Sequence, residues 1–271
     1  MARQYGGAVG SRALTYSSYL HLDELLACQV PLSEGPEHDE LLFIVVHQVY
    51  ELWFKALLHE FRQLQESLEA DDGVAAGAAA KRILTILKTV VAQIDVLETM
   101  TPLGFGSFRG RLESASGFQS AQFRQLEAVL GRRSTSMLEP YSEGSPERAA
   151  IAAAMSRRSV FDSLLRYLAA AGHRLPAAAL ERDVTQPPAP DPAVQEALIA
   201  VYRDDPDAAG VCERLVDIDE GIQEWRYRHV KMVERTIGGR IGTGGSAGAG
   251  YLRSTLFRPT FPDLWEIRSR L

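Results

Sequence analysis

The stretch HDELLFIVVHQVYELWFK, residues 38–55, constrains the fold more than any other part of this chain. It is too long for an ordinary strand, and its apolar side chains recur with a helical period. One face carries, at i, i+4, i+7 and i+11, Phe43, His47, Tyr50 and Phe54. The stretch therefore predicts a long amphipathic helix with a histidine set among aromatic side chains.

The same period recurs along most of the chain, whereas the alternation typical of strands is scarce. Helices are predicted over residues 19–30, 37–70, 75–100, 103–112, 117–130, 146–155, 157–172, 193–203, 207–237 and 261–269. The proline-rich segment Gln186–Pro192 cannot continue a helix and predicts an extended loop. We place this loop inside one domain, because candidate pocket residues lie on both sides of it. The pattern predicts an all-α fold, a single helical domain over residues 1–271.

A second histidine occupies a similar position near the C-terminus. In DIDEGIQEWRYRHVKMVERTIG, one helical face carries Ile218, Ile222, Trp225, His229 and Val233. Either histidine alone can be an ordinary core residue, since partial burial is normal for histidine. Two of them on apolar faces, far apart in sequence, suggest two walls of one buried pocket. Such a pocket would suit a planar haem, with His229 beside Trp225 as the proximal iron ligand and His47 on the distal side.

Composition narrows the class of protein. The chain has 271 residues, a net charge of −6 and 46% hydrophobic residues, as in an ordinary soluble globular protein. The acidic balance and the lack of a basic strip argue against a nucleic acid partner. There is no signal peptide, and no run reaches the ~18 apolar residues of a membrane span, so we expect a cytoplasmic protein without a membrane partner. The absence of H-E-x-x-H and G-x-S-x-G argues against a zinc site of that type and a serine hydrolase.

Two further features leave alternatives open. Arg109 shares a predicted helical face with Phe105 and Leu112, where it is either a surface side chain or a clamp for a substrate carboxylate. The glycine-rich segment Gly238–Gly250 is either a flexible linker or a backbone that folds closely over a ligand. In the second case, Thr243 would supply a hydroxyl group.

These segments together resemble the tryptophan 2,3-dioxygenase family. The matching stretches follow the family's order over nearly the whole chain: TYSSYLHLDELL, HDELLFIVVHQVYELWFK, VLETMTP, FRGRLESASGFQSAQFR, LLRYLAAAGH, WRYRHVKMVERTIG and GTGGSAGAGYL. The resemblance implies an all-helical protein that binds haem b without a covalent attachment. It also implies a homo-oligomer, usually a tetramer.

The resemblance implies roles for polar residues at matching positions. His229 corresponds to the proximal iron ligand, and His47 to the distal histidine that hydrogen-bonds the indole N–H. Arg109 corresponds to the arginine that pairs with the substrate carboxylate. Thr243 corresponds to the threonine at the ammonium and carboxylate end of the substrate. Ser116 corresponds to a serine beside the haem.

The resemblance also implies apolar walls and a contribution from a second subunit. The walls around the indole correspond to Phe43, Phe105 and Leu112. The N-terminal segment, about residues 1–20, would reach into the site of a neighbouring subunit with Tyr16, Tyr19 and Leu20. Assembly and activity would then be coupled.

The implied activity is haem-dependent oxygenation of the indole C2–C3 bond of L-tryptophan by O₂, giving N-formylkynurenine. Two alternatives stay open. One is a haem-dependent monooxygenase of the same family that converts a substituted tryptophan to an oxindole. The other is a sensor of haem or tryptophan without catalysis. Two departures from the family's pattern, Ile94 in place of a large aromatic residue and Ser114 in place of a proline, could reshape the pocket.

Overall fold

The computed structural model describes residues 13–35, 37–240, 242 and 249–271. Within these ranges the α-helices are α1 (Tyr16–Leu20), α2 (Leu22–Leu26), α3 (His38–Glu69), α4 (Gly73–Leu97), α5 (Pro102–Phe108), α6 (Ala121–Val129), α7 (Pro146–Met155), α8 (Val160–Ala170), α9 (Ala177–Leu180), α10 (Pro192–Asp204), α11 (Pro206–Ile237), α12 (Ala249–Ser254) and α13 (Pro262–Glu266). Short 3₁₀ helices cover Arg109–Leu112, Gly117–Gln119, Thr135–Leu138 and Ile267–Arg270. The described residues contain no strand, so the all-α prediction is confirmed.

Three long helices form the centre of the molecule. The helix α4 packs against both α3 and α11, and α8 and α6 cover other parts of α3. Asp72 begins α4 by accepting a hydrogen bond from the backbone N–H of Ala75 at 2.9 Å. The side chains at the centre of this core include Phe61, Leu64, Ile83, Leu215 and Ile218, all fully buried. Burying this apolar stripe is what stabilises the helices, since isolated helices of this kind are marginal in water.

The ends of α5 and α11 fix where the candidate site residues lie. Thr101 caps α5 by accepting from the backbone N–H of Gly104, and Pro102 follows in the first helical turn. Asp205 caps α11 in the same way through the N–H of Ala208. The helix α11 ends at Ile237 and is capped by Gly238, whose φ of 61° favours glycine.

Two predicted helices are interrupted. The helix predicted over 117–130 consists of a 3₁₀ helix, Gly117–Gln119, and α6, because Ser120 between them is extended, with φ −66° and ψ 104°. The stretch 19–30 was expected to be continuous, but His21 adopts the left-handed conformation, with φ 53° and ψ 44°. It ends α1 and begins α2, and α2 itself ends at Leu26. The periodicity of apolar residues cannot predict that a histidine adopts this backbone conformation. The predicted loop over Gln186–Pro192 is confirmed, because residues 187–191 are irregular and α10 begins at Pro192.

By length and mean hydropathy alone, α3 could cross a membrane. Its packing is that of a core helix instead. It contacts α4, α6 and α8 and buries Phe61 and Leu64 completely. Its Glu60 carboxylate is nearly buried and accepts a hydrogen bond from Arg82 of α4 at 3.1 Å.

Candidate active site

A cluster of three phenylalanine rings joins the start of α3 to α5. The ring centre of Phe43 lies 5.8 Å from that of Phe105 and 5.5 Å from that of Phe108. Phe105 and Phe108 meet edge to face at 5.4 Å. Phe108 is fully buried, while Phe43 and Phe105 are half-buried. The cluster is therefore an apolar wall with an accessible side.

His47 lies one helical turn after Phe43, with the two ring centres 4.0 Å apart. Its Nδ1 is 2.7 Å from the backbone carbonyl oxygen of Phe43. A carbonyl only accepts, so Nδ1 carries the proton and Nε2 is the unprotonated nitrogen of a neutral ring. Burial lowers the pKa of His47, although the Phe43 carbonyl and the Glu51 carboxylate act in the opposite direction. No described residue hydrogen-bonds Nε2, which is free to accept a hydrogen bond from a ligand.

The opposite wall comes from α11. The rings of Trp225 and His229 are stacked almost parallel, at 4°, with centres 5.3 Å apart. Three aromatic rings surround Trp225, at centre distances of 6.4, 6.2 and 5.0 Å: Tyr50, Phe54 and Phe123. Tyr50 is anchored by donating to the carbonyl of Val90 at 3.0 Å. The stacking fixes the plane of the His229 imidazole.

Burial, together with the smaller effects of the neighbouring His47 and Arg226, lowers the pKa of His229 to about 4. The ring is therefore neutral at physiological pH. Neither of its nitrogens has a hydrogen-bond partner among the residues that the structure describes. The described residues contain no group of three or more His, Cys, Asp or Glu side chains that could hold a metal ion. A single neutral imidazole in an aromatic pocket instead suits the axial ligand of a metal that arrives inside a planar cofactor.

The chain between α5 and α6 carries the remaining candidates. Arg109 follows the buried Phe108 and opens the 3₁₀ helix that ends at Leu112, and both side chains are half-buried. Ser116 caps the next 3₁₀ helix, where its hydroxyl accepts from the backbone N–H of Phe118 at 3.4 Å. Between them, Glu113 has φ 47° and ψ −113°, a strained conformation for a residue other than glycine.

Close packing fixes α5 against α3. A Cβ added at Gly104 would overlap the carboxylate of Asp39, so only glycine allows the two helices to approach this closely. The same contact sets the distance of Phe105 from α3. The position of Arg109 depends on it as well, because Arg109 directly follows α5.

The remaining candidates are residues of α1, Thr243 of the glycine-rich segment and Ile94 of α4. Tyr16 and Tyr19 on α1 are 75% and 68% exposed within this single chain, and the neighbouring Leu20 is also exposed. Thr243 lies outside the described residues. Ile94, at one of the departures, is 1% exposed in the core formed by α3, α4 and α11.

Two aromatic residues of the site were missed from the sequence. Phe108 completes the phenylalanine cluster, and Phe123 of α6 contacts both Phe54 and Trp225. Phe108 falls three positions after Phe105, so the helical period of α5 could have found it. Nothing in the sequence pairs Phe123 with a residue on α11.

Comparison with known proteins identifies similar chains. The profile of the family described as tryptophan 2,3-dioxygenase matches residues 1–145 and 189–271. A protein of Anaeromyxobacter dehalogenans named tryptophan 2,3-dioxygenase is 66% identical over 261 residues, covering 96% of this chain and 97% of the relative. A protein of the same name from Anaeromyxobacter sp. is 64% identical over 266 residues, with coverages of 96% and 97%. Another of that name, from Herpetosiphon aurantiacus, is 58% identical over 261 residues, with coverages of 96% and 100%.

Proposed function

The chain belongs to the tryptophan 2,3-dioxygenase family, and we propose that it oxygenates the indole ring of L-tryptophan with O₂ to give N-formylkynurenine. The reaction breaks the indole C2–C3 bond and places one oxygen atom on each of the two carbons. Both atoms of O₂ enter the product, so no external reductant is consumed. The chain therefore has to bind one planar substrate, hold it in a fixed orientation and keep water away.

We propose haem b as the cofactor, held by the imidazole of His229 as the proximal ligand and flanked by Trp225 and Ser116. The neutral, unpartnered ring of His229 fits this role, because an iron ligand must offer a free nitrogen lone pair. Bound ferrous haem supplies the activation of O₂. The stacked Trp225 restricts rotation of the His229 ring and so fixes the direction of that lone pair.

The observation that carries the proposal is the tautomer of His47. Its Nδ1–H donates to the Phe43 carbonyl at 2.7 Å, which leaves Nε2 as an acceptor. The indole N–H of tryptophan is the only polar group of the ring, and it needs such an acceptor in an apolar pocket. His47 thus orients the substrate without a change in its own protonation state.

The other end of the substrate is charged. We propose that Arg109 binds the carboxylate through its planar guanidinium group and that Thr243 contacts the ammonium and carboxylate end. Phe43, Phe105 and Leu112 form the apolar walls around the indole. Holding the substrate at both ends fixes the position of its C2–C3 bond in the pocket. The apolar walls keep water from the reacting atoms.

We further propose that the chain acts as one helical unit in a cytoplasmic homotetramer. The segment from residue 13 to 32 supports a contact between subunits, because it exposes many large apolar side chains: Leu14, Tyr16, Tyr19, Leu20, Leu25, Leu26, Val30 and Leu32. A surface of this kind is typical of a protein interface. Tyr16 and Tyr19 would complete the site of a neighbouring subunit.

Mass spectrometry of the product formed from L-tryptophan under ¹⁸O₂ tests the proposed function. We expect N-formylkynurenine with two labelled oxygen atoms. An oxindole with one labelled atom would favour the monooxygenase, and binding without oxygen consumption would favour the sensor. Ile94 does not favour the monooxygenase, because it is buried in the core and the structure offers no extra room for a larger substrate at that position.

A further inference from the structure

A chain of buried charges connects α6 to α11 beside the His229 wall. The Glu127 carboxylate accepts from Arg226 through one oxygen at 2.8 Å and from Arg124 through the other at 2.6 Å. All three side chains are at most 14% exposed. Among the described residues, Glu127 and Arg226 are the only charged groups that line a small void in the apolar core. A charge in such surroundings acts over a longer range than at the surface, because little water screens it.

Arg226 is placed so that its charge reaches His229. The two residues are three positions apart on α11, and side chains with this spacing are neighbours on a helix surface. The Nε of Arg226 is buried without a hydrogen-bond partner in the described part of the chain, so Glu127 is the carboxylate that holds and compensates this guanidinium.

We propose that Glu127 is a positioning residue which, by holding and neutralising Arg226, sets the electrostatic potential at His229 and hence the reduction potential of the iron bound there. Two arginines share this single carboxylate, so the cluster of Arg124, Glu127 and Arg226 carries a net charge of +1. Burial and the Arg226 charge lower the pKa of Arg132, whereas Glu127 and the buried Asp219 raise it, so one further cation and one further anion lie close to the cluster. Loss of the Glu127 charge therefore removes a carboxylate that two buried arginines share.

The expected effects follow from charge. Ferric haem carries one more positive charge than ferrous haem, so an uncompensated cation nearby favours the ferrous form. Glu127→Gln keeps the shape of the side chain and raises the net charge of the cluster to +2, whereas Arg226→Gln lowers that net charge to zero. The two variants should shift the midpoint potential in opposite directions, upward for Glu127→Gln and downward for Arg226→Gln.

The experiment is a spectroscopic redox titration of the haem-loaded protein. We expect Glu127→Gln to raise the ratio of ferrous to ferric haem at a fixed potential by three- to tenfold, where tenfold corresponds to about 59 mV for one electron. The double variant with both substitutions restores the original net charge and should return close to the wild-type potential. Asp162→Asn is the matched control, because Asp162 forms an equally buried pair with Arg182, at 2.6 Å, on another part of the molecule.

The directions of the two shifts in midpoint potential distinguish an effect of charge from an effect of a loosened structure. Loosening of α11 would move both single variants in the same direction, and that result would overturn the proposal. A Glu127→Gln variant with intact haem and the potential of the Asp162→Asn control would overturn it as well. If Glu127→Gln does not fold, Arg226→Gln and the double variant still test the sign.

The inference rests on the proposed function, since it needs iron on His229. Absence of histidine-ligated haem in the wild-type protein would overturn the proposed function and this inference with it. A wild-type protein with histidine-ligated haem, but without the opposite shifts, would overturn only the inference about Glu127.

Discussion

The two halves of α3 follow one helical stripe and do different things with it. Beyond Glu51, the stripe is buried without interruption, with exposures of 6% or less at Phe54, Leu57, Phe61, Leu64 and Leu68. Tyr50 is still buried, and before it the same stripe continues through His47 and Phe43, which are only half-buried. The second half of α3 therefore builds the core, and its first half builds the wall of a site.

The difference arises from what packs opposite. The helix α4 contacts both halves, since Tyr50 donates to the Val90 carbonyl and Gln93 to that of Val46. The second half is also covered by α8, where Ser163 hydrogen-bonds Gln65 and Glu69. The first half meets α5, which has only seven residues and ends at Phe108. A short helix covers the base of Phe43 and leaves part of its ring accessible. The comparison teaches that periodicity places residues on a face, whereas the length of the neighbouring helix decides whether that face becomes core or pocket.

The largest expected effect comes from removing the imidazole of His229, the proposed iron ligand in the pocket that the first half of α3 lines. His229→Ala should lose histidine-ligated haem, because no other described histidine lies on the Trp225 wall. Turnover should be abolished, and the Soret band should be lost or shifted. The measurement is an absorption spectrum of the purified, haem-reconstituted protein.

The matched control is His173→Ala. His173 pairs with Asp205 at 3.0 Å near the start of α11, away from the aromatic walls. This variant should keep the wild-type spectrum. A normal five-coordinate, histidine-ligated spectrum in His229→Ala would show that the ligand has been wrongly assigned.

The comparison between the two halves of α3 is tested directly by truncating one phenylalanine in each. Phe61→Ala removes a fully buried ring and should lower the free energy of unfolding by about 3–5 kcal/mol. Phe43→Ala should cost less than about 2 kcal/mol, since its ring is half-exposed. Chemical denaturation of the haem-free protein measures both.

Activity should show the reverse order. Phe43→Ala should weaken substrate binding, whereas Phe61→Ala at a temperature where it is folded should not. Equal unfolding costs for the two variants would contradict the division of α3 into a core half and a pocket half.

Much of this architecture is predictable from the sequence, and the misses have physical causes. The long stripes of α3, α4 and α11 are fixed by apolar periodicity, which burial enforces. The break at His21 depends on one backbone conformation that periodicity does not encode. The pairing of Phe123 with Trp225, and of Glu127 with Arg226, joins residues about 100 positions apart. Such contacts follow from how helices pack, so a single sequence holds no local signal for them.

A smaller effect is expected at the charged end of the pocket. Arg109→Lys keeps the positive charge but loses the planar pair of donors that a carboxylate accepts. Binding of L-tryptophan should weaken by about 1.5–3 kcal/mol, the scale of a charge-assisted hydrogen bond. Tryptamine, which lacks the carboxylate, should bind the wild type and this variant with similar affinity. Equal turnover of tryptamine and L-tryptophan by the wild type would rule out the clamp.

The smallest expected effect is at His47, whose neutral hydrogen bond to the indole N–H contributes about 0.5–1.5 kcal/mol. His47→Ala should keep haem and lower kcat/KM for L-tryptophan by roughly 2- to 12-fold. It should leave the already low kcat/KM for 1-methyltryptophan nearly unchanged, since that substrate has no N–H to donate. Efficient turnover of 1-methyltryptophan by the wild type would argue against the contact.

The pH profile sharpens the same test. Because burial holds the pKa of His47 below its ordinary value of about 6.5, the neutral ring with Nε2 as acceptor predominates above that pH. Protonation on acidification converts Nε2 from an acceptor to a donor, so it should remove the contact with the indole N–H. The wild-type kcat/KM should therefore be flat from pH 8 to about 6.5, and the ratio of wild type to His47→Ala should fall only below that range. A ratio that already falls between pH 8 and 7 would mean that His47 titrates above its ordinary range, and that its half-buried position on α3 does not keep it neutral.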